Sequence, residues 1–231
     1  MMLENYKNHV DERLEQGIPP LPLNAEQVSE LVELLKSPPS GEEEYILDLI
    51  TNRTPAGVDP AAYVKAAFLT AVAKGKTSSP LIDKQHATKL LGTMLGGYNV
   101  ESLIGLLEDT EVGSLAADGL SRTLLMFNAK HDVIELAKKN DNARRVVDSW
   151  SNGEWFTSKS KLPEVIKAIV FRVDGEINTD DLSPAPDAPS RPDIPLHALA
   201  MLKKTMVDPI GTIEKLKESG FPVVFVGDVV G

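Results

Sequence analysis

Apolar residues recur along the first two thirds of the chain at the three- and four-residue spacing of one α-helical face. The clearest set, which predicts a helix with one buried face, is Val28, Leu31, Val32 and Leu35. Asn24, with Gln27 three residues later, is placed to cap the start of that helix reciprocally. Pro38 and Pro39 follow it, and they predict that the helix ends before them.

The same helical pattern continues to about residue 155. A second helix is predicted from Ser40, because the glutamates 42–44 would then lie in its first turn, where the helix dipole favours anions. A third is predicted after an Asp59 N-cap. Further helices with short connections are predicted at 83–95, 100–107, 112–127, 131–139 and 142–150. Helix pairs start roughly 30 to 40 residues apart, which leaves both stacked HEAT-type hairpins and an irregular bundle open.

A different pattern follows residue 160. Residues 165–173 are rich in β-branched residues and apolar on both faces, which predicts a strand covered on both sides. The elements predicted after it are helices at 196–206 and 210–219 and a second buried strand at 222–226. The fold class is therefore multidomain, with an all-α domain over residues 1–160 and the start of an α/β domain over residues 161–231. Because Gly227–Gly231 follows an apolar strand directly, we expect a longer polypeptide whose next loop contributes to a ligand site.

Composition narrows the classes of function. An apolar content of 42% and a charged content of 25% are those of a globular protein. The net charge of −10 opposes non-specific nucleic-acid binding, so RNA contact would need a local basic patch. The chain has no cysteine, which fits a reducing compartment and excludes a thiolate-ligated metal held by this chain alone. No apolar run approaches the roughly 20 residues that span a bilayer, and we predict a cytoplasmic protein.

The segment Asn178–Pro195, called the Pro/Asp segment below, is the leading candidate for function. Its prolines fix φ and remove backbone donors, so we predict neither a helix nor a central strand there. Four aspartates surround one cation, Arg191, and a guanidinium on a stiff loop suits bidentate binding of a carboxylate. The alternative is a disordered Pro/Asp linker.

A second candidate is a basic patch, made of Lys138, Lys139, Arg144 and Arg145. With Trp150 and Trp155 nearby, this patch could bind RNA phosphates and stack a base. The alternative is a solvated helix face whose tryptophans are buried against the next domain.

Several longer motifs carry a family resemblance. They are Leu31–Lys36 with Pro38–Pro39, Gly41–Glu44, Leu90–Tyr98, Thr123–Phe127, Asn178–Met201 and Val226–Gly231. Together they resemble the N-terminal part of the bacterial aconitate hydratase B family, over essentially the whole chain. The resemblance is weakest between Lys203 and Ile213, where this sequence is shorter than the family pattern.

The resemblance implies a HEAT-like domain followed by the start of an aconitase swivel domain. It implies a hydro-lyase of the tricarboxylic acid cycle and propionate catabolism, acting on citrate, isocitrate, cis-aconitate and 2-methylisocitrate. Arg191 matches the arginine that grips a substrate carboxylate. Asp180 matches an active-site aspartate of a segment that more distant aconitases also carry, although the histidine that follows it in those proteins is Asp181 here. The catalytic serine and the ligands of a 4Fe-4S cluster lie further on in the family, so this chain is expected to bind no cluster and to be inactive alone.

The resemblance also implies a second class of function. Cluster-free family members are associated with mRNA binding and with self-association through the N-terminal region. An mRNA and a second copy of the chain are therefore further predicted partners, and a membrane is not.

Overall fold

A computed structural model of the protein describes residues 2–16, 19–94, 97–123, 126–190 and 197–230. The chain forms two compact units: Leu23–Ser160, and Met1–Pro22 together with Lys161–Gly231. The first, called the helical unit, contains α-helices, and the second, called the α/β unit, contains two small parallel sheets of two strands each. A mostly helical protein with the start of an α/β fold agrees with the predicted fold class.

The helices have the following bounds. They are α1 (Met2–Glu15), α2 (Ala25–Lys36), α3 (Glu43–Asn52), α4 (Pro60–Ala73), α5 (Lys84–Gly92), α6 (Val100–Ile104), α7 (Gly113–Arg122), α8 (Ala129–Ala137), α9 (Asp141–Ser151), α10 (Glu154–Thr157), α11 (Thr179–Leu182) and α12 (Pro209–Lys217). A 3-10 helix covers Ala185–Ser190.

Helix α2 confirms the predicted cap and the predicted apolar face. The Asn24 side chain accepts the backbone N–H of Gln27, and the Gln27 side chain accepts that of Asn24, each over 2.9 Å. The residues that the periodicity selected, Val28, Leu31, Val32 and Leu35, are all buried. Burying one such side chain stabilises a fold by about 1.5–3 kcal/mol.

The prediction that a helix starts at Ser40 is wrong, because α3 begins at Glu43. Gly41 lies in the left-handed region at φ +88°, and its N–H donates to the Glu43 carboxylate over 2.7 Å. The predicted helices at 100–107 and 112–127 also end early, at Ile104 and Arg122. Turn hydrogen bonds replace the helical ladder after Ile104, and Thr123 is extended.

The helical unit has a serial packing order. Helices α2, α4, α5, α7 and α9 each contact the next in that series, while α3 packs on α2, α6 on α7 and α8 on α9. The core between them is lined by aliphatic side chains such as Leu69, Leu91, Leu103 and Leu120.

The α/β unit contains two parallel strand pairs. Strand β1 (Ile169–Arg172) pairs with β3 (Val223–Val226), and β2 (Glu176–Ile177) pairs with β4 (Val229–Val230). Helix α12 packs on β1 and β3, and the rings of Phe171 and Phe225 meet edge to face with centroids 5.3 Å apart. The buried centre of this unit consists of Phe171, Val173, Ile177, Leu202 and Ile213.

The predicted strand at 165–173 is shorter than expected and is covered on one face rather than both. Its partner begins after Pro222, whose carbonyl accepts the Ile169 N–H but which has no N–H of its own to extend the ladder. Val170 on β1 remains 59% exposed and Val224 on β3 remains 44% exposed. Among the described residues, α12 covers the opposite face.

Two predictions about residues 178–206, which lie between β2 and β3, are also wrong. The described part of the Pro/Asp segment does contain helical turns, because α11 ends before the first proline and the 3-10 helix is a short one of six residues. The predicted helix at 196–206 ends early, because only His197 and Ala198 of its described residues are helical and residues 199–206 form turns and a bend. Leu202 there is left-handed at φ +59°, and its N–H donates to the Asp181 carbonyl rather than within a helix.

Candidate substrate-binding loop

The turns that follow β1 and β3 are linked by the carboxylate of Asp228. It accepts the Gly175 N–H over 3.0 Å and an Arg172 Nη2 hydrogen over 3.2 Å. Arg172 also lies 3.3 Å from Asp174 through its Nε atom. These contacts fix the positions at which the two turns lead into β2 and β4.

Helix α11 starts immediately after β2, and Asn178 sets its position. The Asn178 Oδ1 atom accepts the N–H groups of Asp180 and Asp181 over 2.9 and 3.2 Å. In return, an Asp181 carboxylate oxygen accepts the Asn178 N–H over 3.0 Å. The exposed Asp180 therefore lies at the carboxyl end of β2, the edge of a parallel sheet where ligands bind.

The 3-10 helix after α11 carries a buried ion pair. The Lys203 Nζ atom lies 2.6 Å from an Asp187 carboxylate oxygen, and the two side chains are only 15% and 4% exposed. The Asp187 N–H donates to the Pro184 carbonyl over 3.0 Å. This bond fixes the turn of backbone that carries the Asp187 carboxylate. The sequence drew attention to the aspartates of this segment but gave no signal that a lysine 16 positions later pairs with one of them.

Two further hydrogen bonds join the same stretches of chain. Ser183 Oγ and His197 Nε2 lie 2.8 Å apart, and the Leu202 N–H donates to the Asp181 carbonyl over 2.7 Å. Residues 181–187 and 197–203 are thus held together at three points. Arg191, the predicted carboxylate-binding residue, falls in 191–196 and lies outside the described residues.

In the basic patch, every cation lies near a carboxylate. The pairs are Lys138 with Glu135 at 2.5 Å, Lys139 with Glu108 at 3.6 Å, Arg144 with Asp141 at 2.5 Å and Arg145 with Asp118 at 3.0 Å. Such pairing lowers the local positive potential that phosphate binding needs.

The two tryptophans near the patch line a groove of about 230 Å³ in the helical unit, together with Met126 and Phe156. Trp150 donates its ring N–H to the Leu120 carbonyl over 3.2 Å. Trp155 is 40% exposed, with the Lys159 ammonium 5.9 Å from its ring centroid.

A charged cluster that the sequence did not reveal joins α5 to the turn before α7. Lys84 Nζ lies 2.8 Å from an Asp109 carboxylate oxygen, and Asp109 also accepts the N–H groups of Glu111 and Val112. The hydrogen bond from Lys84, followed by that from the Glu111 backbone, holds the pKa of Asp109 below its ordinary value. Because Lys84 and two backbone N–H groups already bind the Asp109 carboxylate, we assign this cluster a structural role.

Within the part of the chain that the structure describes, no group of histidines and carboxylates is arranged to hold a metal ion. None of the helices described has the length and apolar character that crossing a bilayer requires.

Comparison with known proteins gives two family matches. Residues 5–156 match the family described as the aconitate B N-terminal domain, and residues 168–231 match that described as the aconitate hydratase 2 N-terminus. The whole chain is 61% identical to aconitate hydratase B of Pseudomonas aeruginosa, 58% to that of Synechocystis sp. and 56% to that of Escherichia coli. The chain spans 27–28% of the length of these relatives.

Proposed function

Because the chain belongs to the aconitate B N-terminal domain family, we propose that it is the N-terminal part of an aconitate hydratase. This hydro-lyase interconverts citrate and isocitrate through cis-aconitate and also acts on 2-methylisocitrate. The observation that carries the proposal is the pair of family matches, which together take in almost the whole chain. The position of Asp180 at the carboxyl end of β2 supports it, since that edge is where an α/β sheet binds ligands.

In this proposal the α/β unit contributes Arg191 as a clamp for one substrate carboxylate. Citrate and isocitrate each carry three carboxylates, so several cationic groups are needed to hold a single orientation for reaction. A guanidinium binds a carboxylate through two parallel N–H···O bonds, and a lysine ammonium cannot reproduce that geometry. Asp180 lies in α11 of the same Pro/Asp segment, and its exposed carboxylate can accept a hydrogen bond from a substrate hydroxyl.

The 4Fe-4S cluster of such an enzyme cannot be ligated by this chain, which has no cysteine. When bound in the parent protein, the cluster supplies a Lewis acid for the departing hydroxyl. The part that this chain plays is confined to binding and orienting carboxylates, and the parent's other regions supply the cluster ligands and the catalytic base.

The helical unit is proposed to be HEAT-like and to provide an assembly surface. The serial contacts of α2, α4, α5, α7 and α9 support this, because stacked hairpins contact only their neighbours. A homodimer formed through this unit remains a prediction. An mRNA complex is the alternative, and the carboxylates around the basic patch weigh against it.

The test is an activity assay on the full-length protein that carries this chain, with its cluster reconstituted. We expect citrate–isocitrate interconversion, and we expect Arg191→Gln to lower kcat/KM by about ten- to a hundredfold, the effect of losing one charged hydrogen-bonded pair. Arg191→Lys should recover little of this loss. The exposed Arg144 of the helical unit serves as the control, and Arg144→Lys should leave kcat/KM unchanged. An inactive wild-type protein would remove the proposed function, while an unaffected Arg191→Gln variant would remove only the arginine.

A further inference from the structure

We propose that the helical unit binds an acidic peptide segment of another protein in a groove between α7, α9 and α10. The groove is called the tryptophan groove here, because Trp150 and Trp155 line it together with Met126, Lys130 and Phe156. This partner is additional to the substrate and to the second copy of the chain proposed above. Three features of the groove support it, namely its open apolar walls, a buried hydroxyl group and a surplus of cations.

The tryptophan groove is long and remains open along one side. Its first part has a volume of about 230 Å³, and an adjoining part has a volume of about 680 Å³. Ser121, Ser149 and Trp155 line both parts, which makes the two continuous. Phe156 remains 70% exposed at the groove, whereas a site for a small metabolite encloses most of its ligand. A long groove with exposed walls therefore suits a stretch of polypeptide.

The walls of the groove carry the residue types that anchor protein interfaces. Tryptophan, phenylalanine and methionine are enriched at such interfaces, and tryptophan often contributes most of the binding energy. Phe127, which follows the groove-lining Met126, is also largely exposed. Exposed apolar side chains grouped in this way mark sites of protein contact. We expect an apolar side chain of the peptide to pack against Trp155 and Phe156.

A buried hydroxyl group is available to bind the peptide backbone. Ser149 lines both parts of the groove and is only 4% exposed, yet its side chain has no hydrogen bond within the part of the chain that the structure describes. Buried hydroxyl groups normally have a partner. The neighbouring Thr123 hydroxyl and Trp150 ring N–H already donate to backbone carbonyls, over 3.0 and 3.2 Å. A peptide group offers both a donor and an acceptor, so it would satisfy Ser149.

The charges around the groove match an acidic partner. The whole chain has a net charge of −10, but residues 121–160 contain seven lysines and arginines against five aspartates and glutamates. Three cations and two carboxylates line the second part of the groove, namely Arg122, Arg145 and Lys159 with Asp118 and Glu154. Neither Lys130 nor Arg122 forms an ion pair with another described residue. Their charges are therefore free to attract peptide carboxylates, which favours an acidic partner over a neutral one.

An RNA strand is the competing class of partner, and the groove suits it less well. The walls formed by Met126, Trp155 and Phe156 offer apolar contact but no hydrogen-bonding groups of the kind that read a base edge. RNA also carries a phosphate at every nucleotide, and the four cations of the basic patch already lie near carboxylates. A peptide that combines apolar and acidic side chains matches both the walls and the cations.

The experiment titrates this chain with a synthetic eight-residue peptide, in which a Phe-Leu pair lies between two runs of three glutamates. Both tryptophans of the chain line the groove, so their emission reports its occupancy, and the anisotropy of a fluorescein label on the peptide gives the affinity. The comparison ligands are a peptide with Gly-Ser in place of Phe-Leu, a peptide with lysines in place of the glutamates, and an RNA octamer. We expect the first peptide to saturate the chain and the other three to bind about tenfold more weakly or worse.

Matched variants place the binding in the groove. Phe156→Ala and Lys130→Glu should each weaken binding of the acidic peptide by about fivefold or more. The controls are Phe221→Ala and Lys89→Glu, which change an exposed phenylalanine and an exposed lysine elsewhere, and they should bind as the unmodified chain does. All four side chains are exposed, so the thermal midpoint of unfolding should stay the same. Lys130→Glu should also strengthen binding of the lysine peptide.

Three results would overturn the proposal. They are the absence of saturation by the acidic peptide up to about 1 mM, tighter binding of the RNA octamer than of the peptide, and equal losses in the groove variants and their controls. The same titration is then made with the full-length protein that carries this chain. Binding of similar affinity there would support a partner site, whereas its loss would show that the parent protein covers the groove, and this too would overturn the proposal. None of these results depends on hydro-lyase activity.

Discussion

His9 joins helix α1 to the chain that follows it through a single acceptor atom. Its Nε2 accepts the backbone N–H of Leu21 over 3.0 Å, while the Tyr6 hydroxyl donates to the Leu21 carbonyl over 2.7 Å. Arg13 donates from Nε to the Pro19 carbonyl over 2.8 Å. Tyr6, His9 and Arg13 are three and four residues apart, so they share one helix face. The hydrogen bond from the Leu21 N–H to His9 requires a neutral imidazole, because a protonated ring has no nitrogen left to accept it.

The pKa of His9 is lowered from its ordinary value of 6.5, first by burial and then by the Arg13 cation, with Glu12 acting in the opposite direction. Since the folded pKa lies below the unfolded one, the contribution of His9 to stability is fully present above pH 6.5 and is lost as the pH falls through the folded pKa. We predict that an NMR titration of the His9 ring gives a pKa below 6.5.

The signs of two substitutions check the causes of this shift. Arg13→Gln should raise the pKa of His9, although only partly, because burial is the larger cause. Glu12→Gln should lower it further. A His9 pKa at or above 6.5 in the unmodified chain would contradict the position of its ring, which is partly buried, lies near Arg13 and accepts the Leu21 N–H.

At the scale of elements, the crossing of α5 and α7 depends on two glycines that face each other. A Cβ atom on Gly119 would lie 2.8 Å from the Gly92 Cα, and one on Gly92 would lie 3.1 Å from the Gly119 Cα. Both contacts are with backbone, which cannot move aside as a flexible side chain can. The two helices therefore approach as closely as they do because neither has a side chain at the crossing.

We predict that Gly119→Ala lowers the free energy of unfolding of this chain by about 1–3 kcal/mol, the usual cost of overpacking a well-filled interface. The gain in helix propensity, at most about 1 kcal/mol, offsets only part of that cost. Urea denaturation measures the difference. The matched control is Gly57→Ala, where an added Cβ meets nothing within 4 Å, and its effect should stay within about 0.5 kcal/mol. Equal effects at the two glycines would show that the crossing tolerates a side chain.

The elements also show which local patterns are reliable guides. Helices α2 and α4 begin where their caps predicted, because Asn24 and Asp59 bond to N–H groups within three residues of themselves. The stretch 196–206 has helix-like apolar spacing, yet Leu202 bonds to Asp181, 21 positions earlier. A periodicity within one window carries no information about a partner so distant.

At the scale of the whole molecule, residues 158–168 form the exposed connection where the helical unit ends and the α/β unit resumes. They contain no helix or strand, and apolar side chains there remain in solvent, including Leu162 at 85% exposure. Exposed backbone without regular hydrogen bonds is the preferred substrate of proteases.

We predict that limited digestion with trypsin cuts first at Lys159, Lys161 or Lys167, because these lysines lie in the exposed connection. The product should be a helical fragment that resists further digestion, as judged by mass spectrometry and circular dichroism. Replacing all three lysines with glutamine should slow the first cut. Initial cleavage within α4 or α7 instead would contradict the division into two compact units.

What the sequence determined by itself is the part that depends on near neighbours and on composition. Helix caps, apolar helix faces and the family motifs each depend on residues within a few positions of one another, and the absence of cysteine depends on composition alone. All of them are therefore visible in the sequence. The tertiary structure decided the length of β1, the pairing of Lys203 with Asp187, and the carboxylates of Glu108 and Asp118 beside Lys139 and Arg145. Each of these depends on atoms that are far apart along the chain and meet only after folding, and no local pattern encodes which of several candidate partners a charge or a strand will find.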